Sequence, residues 1–223
     1  MISYSIMKIF LDSSNISEIK LINKSGLIDG ITTNPSLLAK QEGDFKKILK
    51  TIATEVKGPI SAEVTATHTH KMIEEAKILQ KIAKNIVIKI PLTLDGLIAC
   101  KYLTSKKFKV NVTLCFSPSQ ALLAAKAGAT FISPFIGRLD DLGENGVQLI
   151  QDIKTIYKNY NFKTEILAAS IRSLEHVQQV MQIGADIITI PPKIFGDLYR
   201  HELTDKGLES FLSDWKKSGK QIS

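Results

Sequence analysis

The chain has 223 residues, of which 44% are hydrophobic and 23% are charged, and its formal net charge is +7. This length is enough to bury one large core, so we expect one domain over residues 1–223. No apolar run approaches the roughly 20 residues that a membrane helix needs, and the opening MISYSIMKIF lacks the features of a secretory signal. These observations argue against a membrane protein and predict a soluble, cytoplasmic one.

The positive charge is compatible with two kinds of partner. A basic protein can bind nucleic acid, but here the lysines are spread along the chain without an interleaved aromatic surface. We therefore expect no nucleic-acid partner and favour a small anionic substrate. The two cysteines, Cys100 and Cys115, form no CxxC pair and have no histidine at metal-ligand spacing. We expect both thiols to be free and buried, and no metal site.

Short runs of β-branched residues alternate with helical patterns along the chain. Residues 1–6 precede the first run and are expected to form an extension. The strand starts are roughly 20 to 35 residues apart, which is the length of a parallel βαβ unit. The strands are predicted near residues 8–12, 30–33, 59–65, 86–90, 109–114, 130–134, 164–169 and 186–190.

Two of the predicted helices have clear apolar faces. In residues 71–84, the residues that would share one face are Met72, Ile73, Ala76, Leu79, Ile82 and Ala83. Residues 203–218 predict a terminal helix that could pack on its own barrel or on a neighbouring molecule, through Leu203, Leu208, Phe211, Leu212 and Trp215. Gly128 and Gly184, each before a strand, are predicted to end helices.

Eight βα units favour an α/β fold, a (β/α)8 TIM barrel with an additional C-terminal helix. An open, doubly wound sheet is the main alternative. We favour the barrel because the first strand is not followed by GxGxxG and the chain has no GxxxxGK[ST] phosphate loop.

Active sites of barrel enzymes lie at the carboxyl ends of the strands. Nearly every predicted strand ends with a polar residue there, which a purely structural barrel would have little reason to supply. The candidates are Asp12, Thr33, Asn34, Glu63, Lys89, Asn111, Thr113, Ser133, Arg138, Ser170 and Arg172.

Lys89 is the most unusual of these candidates, because it lies inside the apolar run IVIKIP (86–91). An ammonium group is costly in such surroundings unless it is paired or deprotonated. A neutral amine attacks carbonyl groups, so a lysine on a barrel strand is a candidate for Schiff-base catalysis. The alternative is a strand-end lysine that reaches water, and the strand context leaves both open.

Two carboxylates, Asp12 and Glu63, could face Lys89 across the barrel and move protons. The alternative for Asp12 is an N-cap of the next helix, a role that Ser13 or Ser14 could also fill. For Glu63 the alternative is an ion pair with a lysine.

The neutral polar candidates also have ordinary structural interpretations. Asn34 precedes Pro35 and is typical of a turn, and Asn111 and Thr113 could simply bond neighbouring strand groups. The four histidines form no ligand set, and we assign them no role: His68, His70, His176 and His201.

Arg138 and Arg172 follow the sixth and seventh strands, together with Ser133 and Ser170. Two guanidinium groups near one barrel mouth could clamp a phosphate, whose oxygens match the planar fork of arginine. Each arginine could instead be a surface salt-bridge partner.

Six motifs in order resemble the transaldolase family, in particular its short subfamily related to fructose-6-phosphate aldolase. The resemblance extends from about Lys8 to the terminal helix. The motifs are GITTNPS (30–36), SAEVTAT (61–67), IVIKIP (86–91), NVTLCFS (111–117), ISPFIGR (132–138) and LAASIR (167–172).

This resemblance implies that Lys89 is the Schiff-base lysine, that Asp12 transfers a proton, and that Glu63 and Thr113 hold a catalytic water. It implies that no metal or organic cofactor takes part, and that the chain forms a homo-oligomer, which is expected to be a decamer with exchanged terminal helices. It places the substrate sugar phosphate among Thr33, Asn34, Asn111, Ser133, Phe135, Arg138, Ser170 and Arg172.

Two positions separate transaldolases from aldolases in this family. Aldolases carry Gln and Tyr where this chain has Glu63 and Phe135. A tyrosine hydroxyl can help place the water that protonates the enamine, and phenylalanine cannot. The resemblance therefore implies a transaldolase of the pentose phosphate pathway, acting on sedoheptulose 7-phosphate or fructose 6-phosphate. Alternatives are a fructose-6-phosphate aldolase, a deoxyribose-phosphate aldolase and a non-catalytic phosphosugar-binding barrel.

Overall fold

Eight parallel strands form a closed barrel in the computed structural model, which describes residues 6–222. Each strand pairs with its neighbours in sequence, and the eighth pairs with the first. The strands are β1 (Lys8–Asp12), β2 (Gly30–Thr32), β3 (Ile60–Glu63), β4 (Ile86–Pro91), β5 (Val110–Cys115), β6 (Phe131–Pro134), β7 (Glu165–Ala168) and β8 (Ile187–Ile190). The predicted (β/α)8 barrel is confirmed, and the open sheet is wrong. The predicted extension lies outside the described residues except for Ile6, which is exposed.

Helices flank the barrel. They are α1 (Ile16–Asn23), α2 (Pro35–Leu38), α3 (Phe45–Glu55), α4 (Thr69–Gln80), α5 (Leu94–Ser105), α6 (Pro118–Ala127), α7 (Ile136–Asp140), α8 (Gly146–Asn159), α9 (Leu174–Ile183), α10 (Pro192–Tyr199) and α11 (Glu202–Ser218). Gly128 and Gly184 end α6 and α9 in the left-handed conformation, as predicted, with φ values of 87° and 82°.

The start of helix α4 and the end of strand β3 differ from the predicted boundaries, because side chains distant in sequence form hydrogen bonds there. Helix α4 was predicted over 71–84 but begins at Thr69, because the Asp95 carboxylate accepts bonds from the Thr69 amide (2.7 Å) and hydroxyl (2.6 Å). It ends at Gln80, where the chain turns toward β4. Strand β3 was predicted to reach residue 65 but ends at Glu63, because the next backbone amides, from Thr65 onward, bond the Glu75 carboxylate instead of a strand.

The amino-terminal half of the barrel interior is filled by apolar side chains. A buried cluster includes residues from strands that are not paired, such as Phe10 of β1 and Phe131 of β6, which can meet only inside the barrel. Its members are Phe10, Val87, Phe131, Leu167 and Ile187, with Ala169 at the carboxyl end of β7. The rings of Phe10 and Phe131 meet edge to face at a centroid distance of 6.0 Å. At Gly30 a Cβ atom would lie 2.7 Å from the Phe10 ring, so a glycine makes room for this packing.

The terminal helix α11 has an uncovered apolar stripe. The sequence left open whether this helix packs on its own barrel or on a neighbouring molecule. None of its residues is buried, so it does not pack its apolar stripe on its own barrel. The stripe side chains Leu203, Leu208, Phe211, Leu212 and Trp215 are between 44% and 75% exposed.

Cys100 and Cys115 are free and buried, as predicted. Within residues 6–222, no helix is both long and apolar enough to cross a membrane.

Candidate active site

A cavity of about 250 Å³ opens at the carboxyl ends of the strands. Eight of the residues predicted from sequence line it, together with three that were not predicted. The lining consists of Asp12, Thr32, Asn34, Lys89, Ser133, Phe135, Arg138, Ala169, Ser170, Arg172 and Thr189.

Lys89 lies at the base of this cavity and is buried, its side chain being 6% exposed. The side chain does not reach bulk water, so the alternative interpretation of Lys89 as a strand-end lysine that reaches water is wrong. Its Nζ atom is 3.1 Å from Glu63 Oε2 and donates to the Thr33 carbonyl at 3.1 Å. Glu63 is opposite Lys89 in the β3–β4 register, which explains why the two side chains meet. The alternative role predicted for Glu63 was an ion pair with a lysine. Glu63 does form such a pair, and its partner is Lys89, the candidate nucleophile.

Asp12 shares the cavity with Lys89 and does not cap a helix. The N-cap of α1 is Asn15, whose side chain accepts bonds from the amides of Ser17 and Glu18. The capping interpretation of Asp12, and its extension to Ser13 or Ser14, is therefore wrong. Asparagine competes well for an N-cap, and Asn15 is closer to the helix.

The Asp12 carboxyl is held by a short chain of hydroxyl groups. Its Oδ1 accepts a bond from the Thr32 hydroxyl at 2.7 Å, and the Thr189 hydroxyl is 2.6 Å from that of Thr32. Burial raises the pKa of Asp12 above its ordinary value of about 3.8, while the Thr32 bond and the charge of Lys89 act in the opposite direction. A carboxyl group with a raised pKa takes up a proton more readily than an ordinary aspartate does, which suits a group that accepts a proton during a reaction.

Three predicted residues lie beneath the cavity surface and are fully buried: Thr33, Asn111 and Thr113. The Thr33 hydroxyl donates to the Ser61 carbonyl at 2.8 Å, so its side chain does not line the cavity. Asn111 bonds neighbouring strands, accepting from the Ser133 hydroxyl at 2.7 Å and donating to the Ser61 hydroxyl at 3.1 Å.

Thr113 differs from its neighbours. Its buried hydroxyl has no hydrogen-bond partner within residues 6–222, so the expectation that it bonds adjacent strand groups is wrong. Buried hydroxyl groups without a partner are rare in proteins, so this one calls for a functional or structural explanation.

The predicted arginines lie where helix α7, which follows β6, approaches the loop after β7 closely. The Gly137 amide donates to the Ser170 carbonyl at 3.1 Å. A Cβ atom at Gly137 would overlap this carbonyl and lie 2.7 Å from Arg172 Nε, so only glycine permits the approach. Ser170 has a φ of 58°, a strained conformation that is often found at functional sites.

The two arginines have different partners. The guanidinium group of Arg138 lies over the Phe135 ring, with its carbon 5.4 Å from the ring centre. Arg172 forms a two-pronged ion pair with Asp141, in which Nη1 contacts Oδ1 and Nη2 is 2.7 Å from Oδ2. This pair raises the pKa of Arg172 and lowers that of Asp141. The predicted surface salt bridge therefore exists for Arg172.

Sequence reasoning missed Thr32, Ala169 and Thr189. The sequence held only a partial signal for Thr32, the period of two along a strand, which puts Thr32 and Thr33 on opposite faces. The β1–β2 register, which sets Thr32 opposite Asp12, is needed to show that Thr32 is the inward one.

The fold and this cluster define a (β/α)8-barrel protein whose lysine, carboxylate and arginine groups meet where enzymes of this fold have their active sites. The family model described as Transaldolase/Fructose-6-phosphate aldolase matches residues 9–222. The chain belongs to this family, as the motifs predicted.

Bacterial relatives match over nearly the whole chain. Proteins named "Probable transaldolase" from Brucella ovis and Bartonella tribocorum are each 58% identical over 217 residues. One with the same name from Chelativorans sp. strain BNC1 is 59% identical over 216 residues. Each alignment covers 97% of this chain and 100% of the relative.

Proposed function

We propose that the protein is a transaldolase, which transfers a dihydroxyacetone unit from a ketose phosphate to an aldose phosphate through a Schiff base on Lys89. The single observation that carries this proposal is the buried Lys89 amine, 3.1 Å from the Glu63 carboxylate in a cavity shared with Asp12. A buried amine beside proton-transfer groups is suited to attack a carbonyl group. The identity with proteins named as probable transaldolases supports the same conclusion.

In the first step, the Lys89 amine attacks C2 of the ketose and forms a carbinolamine. Loss of water then gives the protonated imine. Glu63, already paired with Lys89, is placed to receive a proton from the amine and to return it to the departing hydroxyl. The unpartnered hydroxyl of Thr113 is a suitable holder for the water that leaves and later returns.

In the second step, Asp12 takes the proton of the C4 hydroxyl and the bond between C3 and C4 breaks. The electron pair moves to the protonated imine, which leaves an enamine on Lys89 and releases the aldose phosphate. The raised pKa of Asp12 favours this proton uptake. An incoming aldose phosphate accepts the enamine carbon, Asp12 returns its proton, and hydrolysis of the imine releases the new ketose phosphate.

The remaining lining groups are proposed to hold the substrate. Asn34 uses Oδ1 to accept the Leu37 amide at the start of α2, which leaves its amide nitrogen to donate to the dihydroxyacetone unit. Asn111 lies beneath the cavity, and its bond to the Ser133 hydroxyl makes it a support for the lining residue Ser133. We assign the phosphate to Arg138 and Arg172. The phosphate site is completed by the nearby hydroxyl residues Ser133 and Ser170.

A fructose-6-phosphate aldolase would share the lysine chemistry but release free dihydroxyacetone. Phe135 lines the cavity without a hydroxyl group that could place a protonating water. We therefore expect fructose 6-phosphate and erythrose 4-phosphate to give sedoheptulose 7-phosphate, with little dihydroxyacetone formed when erythrose 4-phosphate is absent.

Chromatography of both products measures this ratio, with Phe135→Tyr as the matched variant. This variant should raise the rate of dihydroxyacetone release relative to the rate of transfer to erythrose 4-phosphate. Release as fast as transfer in the unmodified enzyme would contradict the proposal in favour of the aldolase. Sugar-phosphate binding without either product would favour a non-catalytic barrel.

We further infer that the enzyme is a homo-oligomer, which we expect to be a decamer, in which α11 packs on a neighbouring copy. The support is the uncovered stripe of this helix. A monomer in multi-angle light scattering would contradict it. We assign the reaction to the pentose phosphate pathway in the cytoplasm, because charged sugar phosphates do not cross membranes unaided.

A further inference from the structure

The two arginines of the cavity differ in how freely they could bind a phosphate. Within residues 6–222, Arg172 forms an ion pair with Asp141, whereas Arg138 forms no ion pair and lies over the Phe135 ring. Both Nη atoms of Arg172 are on the Asp141 carboxylate, and its Nε side lies against Gly137. A phosphate would use the same edge of the guanidinium group. Arg172 must therefore leave Asp141 before it can bind a phosphate bidentately.

The backbone around this ion pair is fixed by neighbouring side chains. Asp140 accepts a bond from the Gly146 amide at 3.0 Å, and its other oxygen is 3.0 Å from His176 Nε2. The Nδ1 atom of His176 lies 3.4 Å from the Arg172 amide, which donates to it. The partners are thus presented to each other by α7 and by the loop before α9, so the pair is better organised than two flexible surface side chains.

We propose that Asp141 is an internal counter-ion that competes with the substrate phosphate for Arg172, and so sets the affinity of the site for phosphorylated sugars. The inference rests on the proposed function, because it assumes that Arg172 binds the substrate phosphate. Asp141 neutralises Arg172 while the site is empty, and the phosphate dianion replaces it on binding. Part of the binding energy is used to break the ion pair, which weakens ground-state binding and helps the product to leave.

The test compares the Asp141→Asn variant with the unmodified enzyme in calorimetric titrations with inorganic phosphate, and in kinetics with fructose 6-phosphate. Asparagine keeps the shape of the side chain but removes its charge. Because exposed ion pairs are weak, we expect the Kd of phosphate and the KM for fructose 6-phosphate each to fall by about two- to fivefold. Thermal unfolding should be little changed, since Asp141 is exposed.

Two further variants separate competition from a general effect of charge. Glu144→Gln removes an exposed carboxylate from the same turn, so it should leave both constants unchanged. In an Arg172→Gln background, adding Asp141→Asn should give no further gain, because the ion pair is already absent. A gain that persisted there would show direct repulsion of the phosphate by Asp141 and would overturn the proposal.

The remaining outcomes separate this inference from the proposed function. A weaker phosphate affinity in Asp141→Asn would make Asp141 a support for Arg172 and overturn the inference, as would phosphate binding to none of the proteins. Normal transfer with unchanged constants would overturn the inference but leave the proposed function intact. Tighter phosphate binding in a protein without transfer activity would support the counter-ion and count against the proposed function.

Discussion

On four strands of the barrel, the inward-facing side chains change from apolar to polar over two residues. Toward the amino ends its side chains are apolar, and two residues further along the same strands the inward positions carry the cavity. On four strands this change runs from Phe10 to Asp12, Val87 to Lys89, Phe131 to Ser133 and Ile187 to Thr189. The lower layer stabilises the fold through burial, whereas the upper layer keeps buried polar groups at a cost in stability. Substitutions in the two layers should therefore have opposite consequences.

The largest expected effect is on turnover, from Asp12→Asn in the upper layer. The variant keeps the shape of the side chain but cannot accept the C4 proton, so the rate should fall by about 10²- to 10⁴-fold. Steady-state kinetics of the transfer reaction measure this. Asp152→Asn on α8 makes the same chemical change outside the barrel and should leave the rate unchanged. Equal rates for both variants and the unmodified enzyme would remove Asp12 from the mechanism.

The same substitution should change how stability depends on pH. Burial raises the pKa of Asp12, so the folded state holds this proton more tightly than the unfolded state. The associated stability is fully present below about pH 3.8 and is lost as the pH rises through the raised pKa. Asp12→Asn has no such loss, so its free energy of unfolding should improve relative to wild type as the pH rises. Urea unfolding of both proteins, from about pH 3.8 upward, measures how the free energy of unfolding depends on pH. The same pH dependence in the wild type and in Asp12→Asn would contradict this prediction.

In the lower layer, Phe131→Ala should lower the free energy of unfolding by about 3–5 kcal/mol. It removes a buried ring and its edge-to-face contact with Phe10. Urea unfolding measures the loss. The cavity groups are unchanged, so the KM of the folded fraction should stay near its normal value. A cost below about 1 kcal/mol would mean that this layer is not the stabilising one.

The smallest expected effect comes from Thr113→Val in the upper layer. It removes a buried hydroxyl that bonds no other side chain or backbone group in the described structure, so stability should change by less than about 1 kcal/mol, while turnover should fall because the water loses its holder. The matched control is Thr33→Val, which removes a hydroxyl that donates to Ser61 and should cost about 1 kcal/mol. Destabilisation of similar size in both would show that Thr113 has a structural partner.

The contrast between the layers also explains what the sequence could predict. Apolar strands alternating with helices were enough for the barrel, and a lysine in the run 86–91 was enough to single out Lys89. Helix and strand ends were less predictable, because Asp95 and Glu75 fix them from 10 to 26 residues away.

Details of the site required the closed barrel. Which of Thr32 and Thr33 faces inward depends on the register with β1, and the pairing of Arg172 with Asp141 joins residues 31 positions apart. Local patterns carry no signal for either. The capping role of Asn15, which freed Asp12 for the cavity, was missed because several adjacent residues could have served.

The role of Lys89 is tested most directly by intact-mass analysis after borohydride reduction in the presence of fructose 6-phosphate, for the unmodified enzyme and for Lys89→Ala. Circular dichroism of the variant shows whether it is folded, and Lys89→Met serves as a bulkier replacement if it is not. Schiff-base catalysis at Lys89 should give a covalent sugar adduct on the unmodified enzyme alone, mapped by peptide analysis to Lys89. An adduct on another lysine, or none on either protein, would contradict Schiff-base catalysis at Lys89.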